Sequence, residues 1–339
     1  MAHELKSLIE ISKKIGKRPD YVQGGGGNTS VKIGKNKMII KASGFRLSEL
    51  RVKKGLVSVD HQKIVQFYST VKGRENITDV IIENDRVVKD SIHKKRSGEE
   101  LRPSIETGFH SLAGKFVIHS HSVYANIFNC SKEGKKILSK MFKEAIFVPY
   151  YPPGISLTIG VRKALGKRES KIFFLENHGI VVCGETAEDA YVLHEEITNC
   201  IKKDLKIRSQ YPKIKVVSAE NGCFKSESDQ VSDLIRKHKK TVKKFRKIVL
   251  FPDQLVYGDD VGFLANAGFS IRIDVDKGAV FYNNMSYAKA FTFEEVFVAW
   301  LFIIDQIRRF GLTLKTISKK EIDFILNMES EKYRKKLCK

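Results

Sequence analysis

Cysteine is scarce in this sequence, and its placement excludes two kinds of site. The 339 residues contain five cysteines, an odd number, and no two of them form a CxxC pair. A disulfide framework needs paired cysteines, and a zinc knuckle needs closely spaced ones. The scattered thiols therefore argue against both and are typical of a protein in a reducing cytoplasm.

Long hydrophobic runs are also missing. No apolar stretch reaches the roughly 20 residues that a helix needs to cross a bilayer, and "VFVAWLFII" at residues 296–304 lies inside a longer amphipathic pattern. The N-terminal segment "MAHELKSLIEISKKIGK" has helical apolar spacing and no cleavage site, so it is predicted to be a packed helix and not a signal. We expect a globular protein without a membrane partner.

Negative charge is scarce relative to positive charge. Lys and Arg number 61 against 39 Asp and Glu, which gives a net charge of +22. Such an excess can indicate a nucleic-acid-binding protein, but here it is spread along the chain, and the dense "IRKHKKTVKKFRK" fits a solvated helix face. Because no zinc finger or RNA-binding signature accompanies it, we expect no nucleic-acid partner. A lysine bias of the whole proteome, or attraction of anionic metabolites, explains the charge as well. A salt-dependent DNA shift assay would test nucleic-acid binding.

The chain is predicted to form two units. Up to residue 210, short apolar strands such as "KMIIKAS" and "KFVIHSH" alternate with helical stretches, which indicates an α/β unit. Residues 211–339 predict an α+β unit, in which "FSIRIDVDKGAVFYN" is a hairpin that turns at residues 276–278. Capping boxes are predicted at Thr292 with Glu295 and at Ser318 with Glu321, each at the start of a helix.

Three histidines are candidate metal ligands. His119 and His121 in "HSH" alternate along a predicted strand, so they project to the same side. Such a pair alone is weak evidence, since it also occurs in hydrogen-bonded cores. His178 in "ENHG" follows another apolar strand and supplies a third imidazole, although a polar turn cap explains it as well. Three neutral imidazoles would leave an open fourth position, as in a catalytic zinc site.

Two further motifs suggest groups beside that metal. Glu106 in "RPSIETGFH" is a candidate acid/base, although a lone glutamate is more often solvated, and His110 is expected to pack in its helix. In "QGGGGNTSVK" four glycines precede Asn28, so backbone N–H groups could approach a phosphate, with a flexible loop as the alternative. "ASGF" could close the other side of this pocket. Neither GxxxxGK[ST] nor GxGxxG is present, so a nucleotide fold is not supported.

These motifs in their order resemble a known family. "GGGGNTS", "KASGF", "RPSIE", "HSH" and "ENHG" together resemble the class II aldolase/adducin family, metal-dependent enzymes that act on small sugar phosphates. The resemblance covers roughly residues 1–205. The glycine run and the wording "RPSIET" are most similar to rhamnulose-phosphate aldolase-like chains, the aldolase part of the aldolase/dehydrogenase group. The segment "EIDFILNMESEKYR" also resembles the sequence after the aldolase core in that group.

The resemblance implies a fold, a cofactor and a set of site residues. The fold is a three-layer α/β fold with a central, mostly antiparallel sheet, here followed by a C-terminal α+β extension, and the assembly is a homo-oligomer, usually a tetramer. The cofactor is Zn²⁺ or another divalent transition metal. The implied metal ligands are His119, His121 and His178, the acid/base is Glu106, and the substrate-binding residues are Asn28, Ser43, Gly44 and Ser104.

Two departures from the family pattern concern the substrate. Ile105 stands where a second serine often follows the one at Ser104. The tyrosine that protonates the leaving aldehyde in some members has no clear counterpart. Tyr124, Tyr150 and Tyr151 are candidates by proximity only.

The implied function is that of a zinc-dependent class II retro-aldolase. It would cleave a ketose 1-phosphate to dihydroxyacetone phosphate and an aldehyde through a metal-stabilised enediolate, with Glu106 removing the hydroxyl proton. A sugar-phosphate epimerase or dehydratase of the family uses the same chemistry and stays an alternative. A non-catalytic, adducin-like interaction module is another, although such members lose metal ligands that this chain retains. Residues 211–339 are expected to cover the site or to build the oligomer.

Overall fold

A computed structural model describes residues 2–71, 77–93, 101–208, 210–258, 260–263 and 268–328 of the chain. The end of "EIDFILNMESEKYR", from residue 329, lies outside these ranges. The helices are α1 Ala2–Gly16, α2 His61–Thr70, α3 Ile77–Asp90, α4 Thr107–Leu112, α5 Val123–Asn129, α6 Gly134–Met141, α7 Ile155–Leu165, α8 Ala187–Asp204, α9 Val231–Lys237, α10 Lys239–Val242, α11 Pro252–Tyr257, α12 Tyr287–Arg309 and α13 Lys319–Asn327. The strands are β1 Asn28–Ile33, β2 Lys37–Lys41, β3 Leu56–Asp60, β4 Phe116–Ser120, β5 Ile146–Val148, β6 Ile172–Leu175, β7 Gly179–Gly184, β8 Val216–Ser218, β9 Phe224–Ser226, β10 Val261–Phe263, β11 Ile271–Asp274 and β12 Ala279–Tyr282.

The first seven strands form one sheet in the order β3-β2-β1-β4-β7-β6-β5. Neighbouring strands are antiparallel except for β5 and β6, which are parallel. All residues of the central strand β4 are buried, because helices cover both faces of the sheet there. The predicted central, mostly antiparallel sheet is therefore confirmed.

Helices pack on both faces of this sheet. On one face, Phe109 of α4 and Leu157 of α7 share a hydrophobic cluster with Val117 of β4. On the other face, Ile118 packs in a cluster that includes Ile197 of α8. Consecutive residues of β4 thus point into different helical layers, as the pleat of a strand requires, and the predicted three-layer arrangement is confirmed.

The second sheet lies in the C-terminal part of the chain and has the order β10-β11-β12-β9-β8. β11 and β12 form the predicted antiparallel hairpin. At its turn the Asp274 carboxylate accepts hydrogen bonds from the N–H groups of Asp276 and Lys277, at 3.0 and 2.9 Å. The predicted capping box of Ser318 and Glu321 is also present at the start of α13.

The predicted capping box of Thr292 and Glu295 is wrong. Helix α12 begins at Tyr287, and its N-cap is Ser286, whose hydroxyl accepts a hydrogen bond from Lys289 N. The helix begins several residues before the predicted start, because Ala290 is buried and continues the helical apolar spacing toward the N-terminus. Thr292 and Glu295 therefore lie inside the helix, where their side chains have other partners, described below.

Helix α12 connects the two parts of the chain. It packs against α5, and the Phe302 ring lies 5.9 Å from that of Tyr124 and 5.2 Å from that of Tyr211. The largest hydrophobic cluster contains residues from both parts. We therefore propose that the boundary near residue 210 separates two sheets that share one core. None of the helices in the described ranges has the length and apolar character that a membrane span requires.

The shared core predicts the effect of Phe302→Ala. Removing a buried aromatic ring typically lowers the free energy of unfolding by about 3–5 kcal/mol. Because the ring contacts both parts, we expect the urea midpoint to fall equally by Trp300 fluorescence, which reports α12, and by far-UV circular dichroism, which reports the whole chain. Phe324→Ala on α13, where the side chain is 37% exposed, is the matched control and should change stability little. A circular dichroism transition that stays at the wild-type midpoint while the fluorescence transition shifts would contradict a shared core.

Candidate metal centre

The predicted histidine pair lies at the end of β4. His119 is in the strand, Ser120 is its last residue, and His121 follows directly. The Ser120 hydroxyl lies 2.7 Å from His194 Nε2 of α8, on the opposite side of the sheet from His119. The two Nε2 atoms of His119 and His121 are 3.2 Å apart. The pair can therefore offer two nitrogens to one ion.

His178 joins the pair from the turn between β6 and β7. Its ring centroid lies 5.0 Å from that of His119 and 5.1 Å from that of His121. The next residue is Gly179, where a Cβ would lie only 2.2 Å from the carbonyl oxygen of Ser120, so the close approach of β7 requires glycine. One ligand atom from each histidine lies within 4.8 Å of the others, and all three side chains are buried. The structure thus brings together the three histidines singled out in the sequence.

Hydrogen bonds to the outer ring nitrogens fix the tautomers of two of these histidines. His119 Nδ1 lies 3.1 Å from the carbonyl oxygen of Ile180, and His121 Nδ1 lies 2.7 Å from Asp253 Oδ2. A carbonyl and a carboxylate only accept, so each Nδ1 carries the proton and each Nε2 presents a lone pair to the cluster. Burial lowers the pKa of His119 well below its usual value, although the charge of Glu106 opposes this shift. Neutral imidazole is the form that binds a metal.

Glu106 lies beside the histidines at the N-terminal end of α4. Its Oε2 is 3.4 Å from His119 Nε2 and its Oε1 is 3.2 Å from His178 Nε2. Burial alone would raise the pKa of the Glu106 carboxyl, but its interactions with the nearby His119 and His178 side chains outweigh burial and hold this pKa well below its usual value. The carboxylate is therefore ionised at neutral pH and faces the three imidazoles.

Asn28 holds this carboxylate in place. Asn28 is paired with His119 across β1 and β4, and its side-chain amide donates to Glu106 Oε2 at 2.6 Å and to Ser104 Oγ at 3.1 Å. Its amide oxygen contacts His110 Nε2, and His110 Nδ1 lies 2.7 Å from Ser30 Oγ. His110 is outside the metal cluster, as expected, and burial lowers its pKa to about 3, so it is neutral. The predicted contact of Asn28 with substrate stays a prediction.

A cavity opens beside the histidines. Glu106, His121 and His178 line this cavity. The four predicted substrate-binding residues line it as well, namely Asn28, Ser43, Gly44 and Ser104. Lys41 of β2 also lines it, and its buried ammonium group donates to the carbonyl oxygens of Gly25 and Phe45, at 3.0 and 2.8 Å. Among the described residues that form the wall, none is a tyrosine, so Tyr124, Tyr150 and Tyr151 lie outside it.

Three of the four amides in the glycine run have acceptors within the protein. Gly24 N donates to Glu295 Oε2 at 2.9 Å, Gly25 N to the Tyr257 hydroxyl at 3.3 Å, and Gly26 N to the carbonyl oxygen of Gln23 at 2.9 Å. These three amides bind protein acceptors. A predicted anion site would therefore depend on the side chains and backbone of the other cavity residues.

Sequence reasoning missed three residues of this site, Lys41, Pro252 and Asp253. Pro252 and Asp253 of α11 line the cavity, although they belong to the C-terminal part of the chain. In "FPDQLVYG" a proline followed by an acid is an ordinary helix start, and Asp253 is 132 residues from its partner His121. Lys41 carried a detectable signal, because a lysine at the end of an apolar strand is unusual.

Comparisons with known proteins agree with the geometry. The sequence model described as "Class II Aldolase and Adducin N-terminal domain" matches residues 6–205. An L-fuculose phosphate aldolase from Methanocaldococcus jannaschii is 28% identical over 200 residues, which cover 59% of this chain and 94% of that protein. A Bacillus subtilis protein named uncharacterized oxidoreductase YuxG is 27% identical over 200 residues, 55% of this chain but only 27% of that protein.

A solved structure gives the same result for the fold. The N-terminal class II aldolase domain of a conserved protein from Thermoplasma acidophilum aligns with a TM-score of 0.51 and 25% identity, over 60% of this chain and 93% of that one. The resemblance to rhamnulose-phosphate aldolase-like chains in particular stays a prediction. The family match covers more than half of the sequence and includes the three histidines and Glu106, and the chain belongs to the class II aldolase/adducin family.

Proposed function

We propose that the protein is a metal-dependent carbon–carbon lyase that cleaves a ketose 1-phosphate to dihydroxyacetone phosphate and an aldehyde. The observation that carries this proposal is the position of the Glu106 carboxylate, 3.2 and 3.4 Å from the Nε2 atoms of His178 and His119. An ionised base therefore lies next to the proposed metal ligands, inside a lined cavity. The similarity to an L-fuculose phosphate aldolase supports this substrate class.

The donor set fits Zn²⁺ or another divalent transition metal. Three buried imidazoles lie close enough to share one ion, and imidazole suits zinc and its neighbours in the first transition series. His119, His121 and His178 would hold the ion. When bound, it supplies Lewis acidity toward the carbonyl and hydroxyl oxygens of the substrate.

Glu106 is the proposed acid/base. Its ionised carboxylate accepts the proton of the substrate hydroxyl as the carbon–carbon bond breaks, and it returns a proton to carbon afterwards. Asn28 donates to Oε2, so the carboxylate is held in one orientation while Oε1 lies toward His178. The connection from Asn28 through His110 to Ser30 makes this orientation rigid.

The anionic end of the substrate is proposed to lie against Ser43, Gly44 and Ser104. Their polar groups line the cavity, and the ammonium of Lys41 adds a positive charge at the same wall. Ile105 lines it as well, so one hydroxyl that is common in the family is replaced here by an apolar side chain. The net charge of +22 favours the approach of an anionic metabolite.

We propose a cytoplasmic homo-oligomer, with the tetramer that is usual in the family.

An epimerase or dehydratase would use the same proton abstraction, so the identity of the products separates these alternatives from the lyase. A non-catalytic adducin-like module would show no turnover of any sugar phosphate.

Metal binding tests the proposed centre. Protein stripped with a chelator and titrated with Zn²⁺ should bind one equivalent per chain, with the ion content measured by mass spectrometry. His178→Ala removes one of three ligands, so it should weaken binding by more than the roughly tenfold that loss of an outer-shell partner alone can cost. The matched control is His93→Ala, an exposed histidine outside the cluster, which should bind like the wild type. If His178→Ala still bound one Zn²⁺ per chain with the affinity of the wild type, this metal centre would be excluded.

Turnover of a ketose 1-phosphate tests the proposed reaction. A screen of ketose 1-phosphates with the zinc-loaded protein should release dihydroxyacetone phosphate, detected by a coupled reductase, and product NMR would reveal epimerisation or dehydration instead. Glu106→Gln should lower kcat by about 10²–10⁴-fold, because it removes the acid/base, while the variant still binds metal. Glu188→Gln, an exposed residue of α8 whose side chain is 65% accessible, is the control and should retain activity. No turnover of any substrate by the loaded wild type would reject the lyase.

A further inference from the structure

The C-terminal part of the chain contacts the metal centre through helix α11. This helix lies beyond residue 205, where the match to the family ends. We propose that α11 completes the metal centre and that Asp253 is the positioning residue of the ligand His121. The inference rests on the metal centre of the proposed function. It gives a role to a part of the chain that lies outside the family match.

The contact between Asp253 and His121 is short and buried. Asp253 Oδ2 lies 2.7 Å from His121 Nδ1, and the aspartate side chain is fully buried. A carboxylate at this position keeps the proton on Nδ1, directs the Nε2 lone pair toward the cluster and makes that nitrogen a stronger donor to a cation. His121 follows the last residue of β4, and its contact with Asp253 fixes which way its ring faces.

The three histidines differ in this respect. His119 Nδ1 contacts a backbone carbonyl, which the sheet itself provides. His178 Nδ1 has no hydrogen-bond partner among the residues that the structure describes. Within that part of the chain, His121 is therefore the ligand whose outer nitrogen contacts a charged group. Its orientation depends on a segment outside the aldolase core.

The start of α11 is fixed firmly enough to position a side chain. Gln254, the residue after Asp253, donates through Nε2 to the carbonyl oxygens of Phe245 and Ile248, at 2.6 and 3.0 Å. Its Oε1 accepts from Leu250 N at 2.9 Å. These bonds connect the first turn of α11 to the segment before it, and Asp253 is held within this frame.

The glycine loop is fitted around the same contact. A Cβ on Gly26 would lie 2.4 Å from Asp253 Oδ2 and 2.8 Å from His121 Nδ1, so only glycine fits beside the pair. One turn along α11, the Tyr257 hydroxyl accepts from Gly25 N. The loop therefore passes between the aldolase sheet and α11 without a side chain that would separate them.

Helix α12 holds the other end of this loop. The Glu295 carboxylate accepts from Gly24 N at 2.9 Å and from Arg46 at 2.8 and 3.0 Å, and the same guanidinium donates to Thr292 at 2.7 Å. The two residues that the sequence suggested as a helix cap thus bind the aldolase part. Two helices of the C-terminal part therefore fix the loop that covers Asp253 and His121.

The test measures metal binding by full-length protein loaded with Co²⁺, whose visible absorption reports ligand geometry. Asp253→Ala removes the acceptor, and outer-sphere changes of this kind typically weaken metal binding by about 10–100-fold. We expect that loss, measured by competition with a chelator, together with a changed Co²⁺ spectrum. Asp253→Asn keeps the size and one acceptor but loses the charge, so its loss should be smaller. Asp323→Asn, an exposed aspartate on α13, is the matched control and should bind like the wild type.

The outcomes separate positioning from a purely structural role. Weaker Co²⁺ binding with an altered spectrum in either variant supports the inference. Binding within about twofold of the wild type with an unchanged spectrum in both variants, even with lower stability of the metal-free protein, would overturn it. Should Asp253→Ala fail to fold, the isosteric Asp253→Asn decides by the same criterion. The Co²⁺ measurement contains no substrate, so it does not depend on the proposed reaction. If the wild type were inert on ketose phosphates while the Asp253 variants bound Co²⁺ more weakly, the proposed reaction would be refuted and the role of Asp253 would stand.

Discussion

The proposed centre depends on the hydrogen bonds to the outer nitrogens of two of its histidines, His119 and His121. Burying several imidazoles next to a carboxylate is favourable only when their polar atoms have partners. The carbonyl of Ile180 and the carboxylate of Asp253 provide such partners for His119 and His121, and both bonds direct Nε2 to the same point. Without these two hydrogen bonds the orientation of the rings would not be fixed. The Nε2 atoms would then not have to face Glu106 and one common ion.

The sheet delivers these groups from distant parts of the sequence. β4 lies between β1 and β7, so Asn28 is opposite His119 on one side and Ile180 is opposite Ser120 on the other. Antiparallel neighbours bring the start of β1, the end of β4 and the start of β7 to the same edge. This edge is where the cavity opens. The register of three strands thus decides which side chains meet.

Local patterns predicted much of this arrangement. The alternation of His119 and His121 follows from the period of a strand, and the caps and the hairpin turn involve residues that are close in sequence. The order of short motifs identified the family and therefore the three-layer fold. His178 is a candidate third ligand because it follows an apolar strand, and the resemblance favours this role over a polar turn cap. The geometry of the described residues supports its position beside the pair.

The rest depended on contacts that no local pattern contains. Thr292 and Glu295 have the spacing of a helix cap, but the buried Ala290 extends the helix past them, and Arg46 is 249 residues from Glu295. Asp253 gives no signal beyond a helix start, because its role is set by packing of α11 against the glycine loop. Tertiary contacts of this kind can give a residue a different structural role from the one that its short local motif predicts.

The central claim is that three imidazole nitrogens share one divalent ion beside Glu106. X-ray absorption at the zinc edge of the loaded protein tests it most directly. The account predicts nitrogen and oxygen ligands at about 2.0–2.2 Å with the outer-shell scattering of three imidazole rings. Sulfur ligands at about 2.3 Å, or scattering from fewer than two imidazoles, would contradict it.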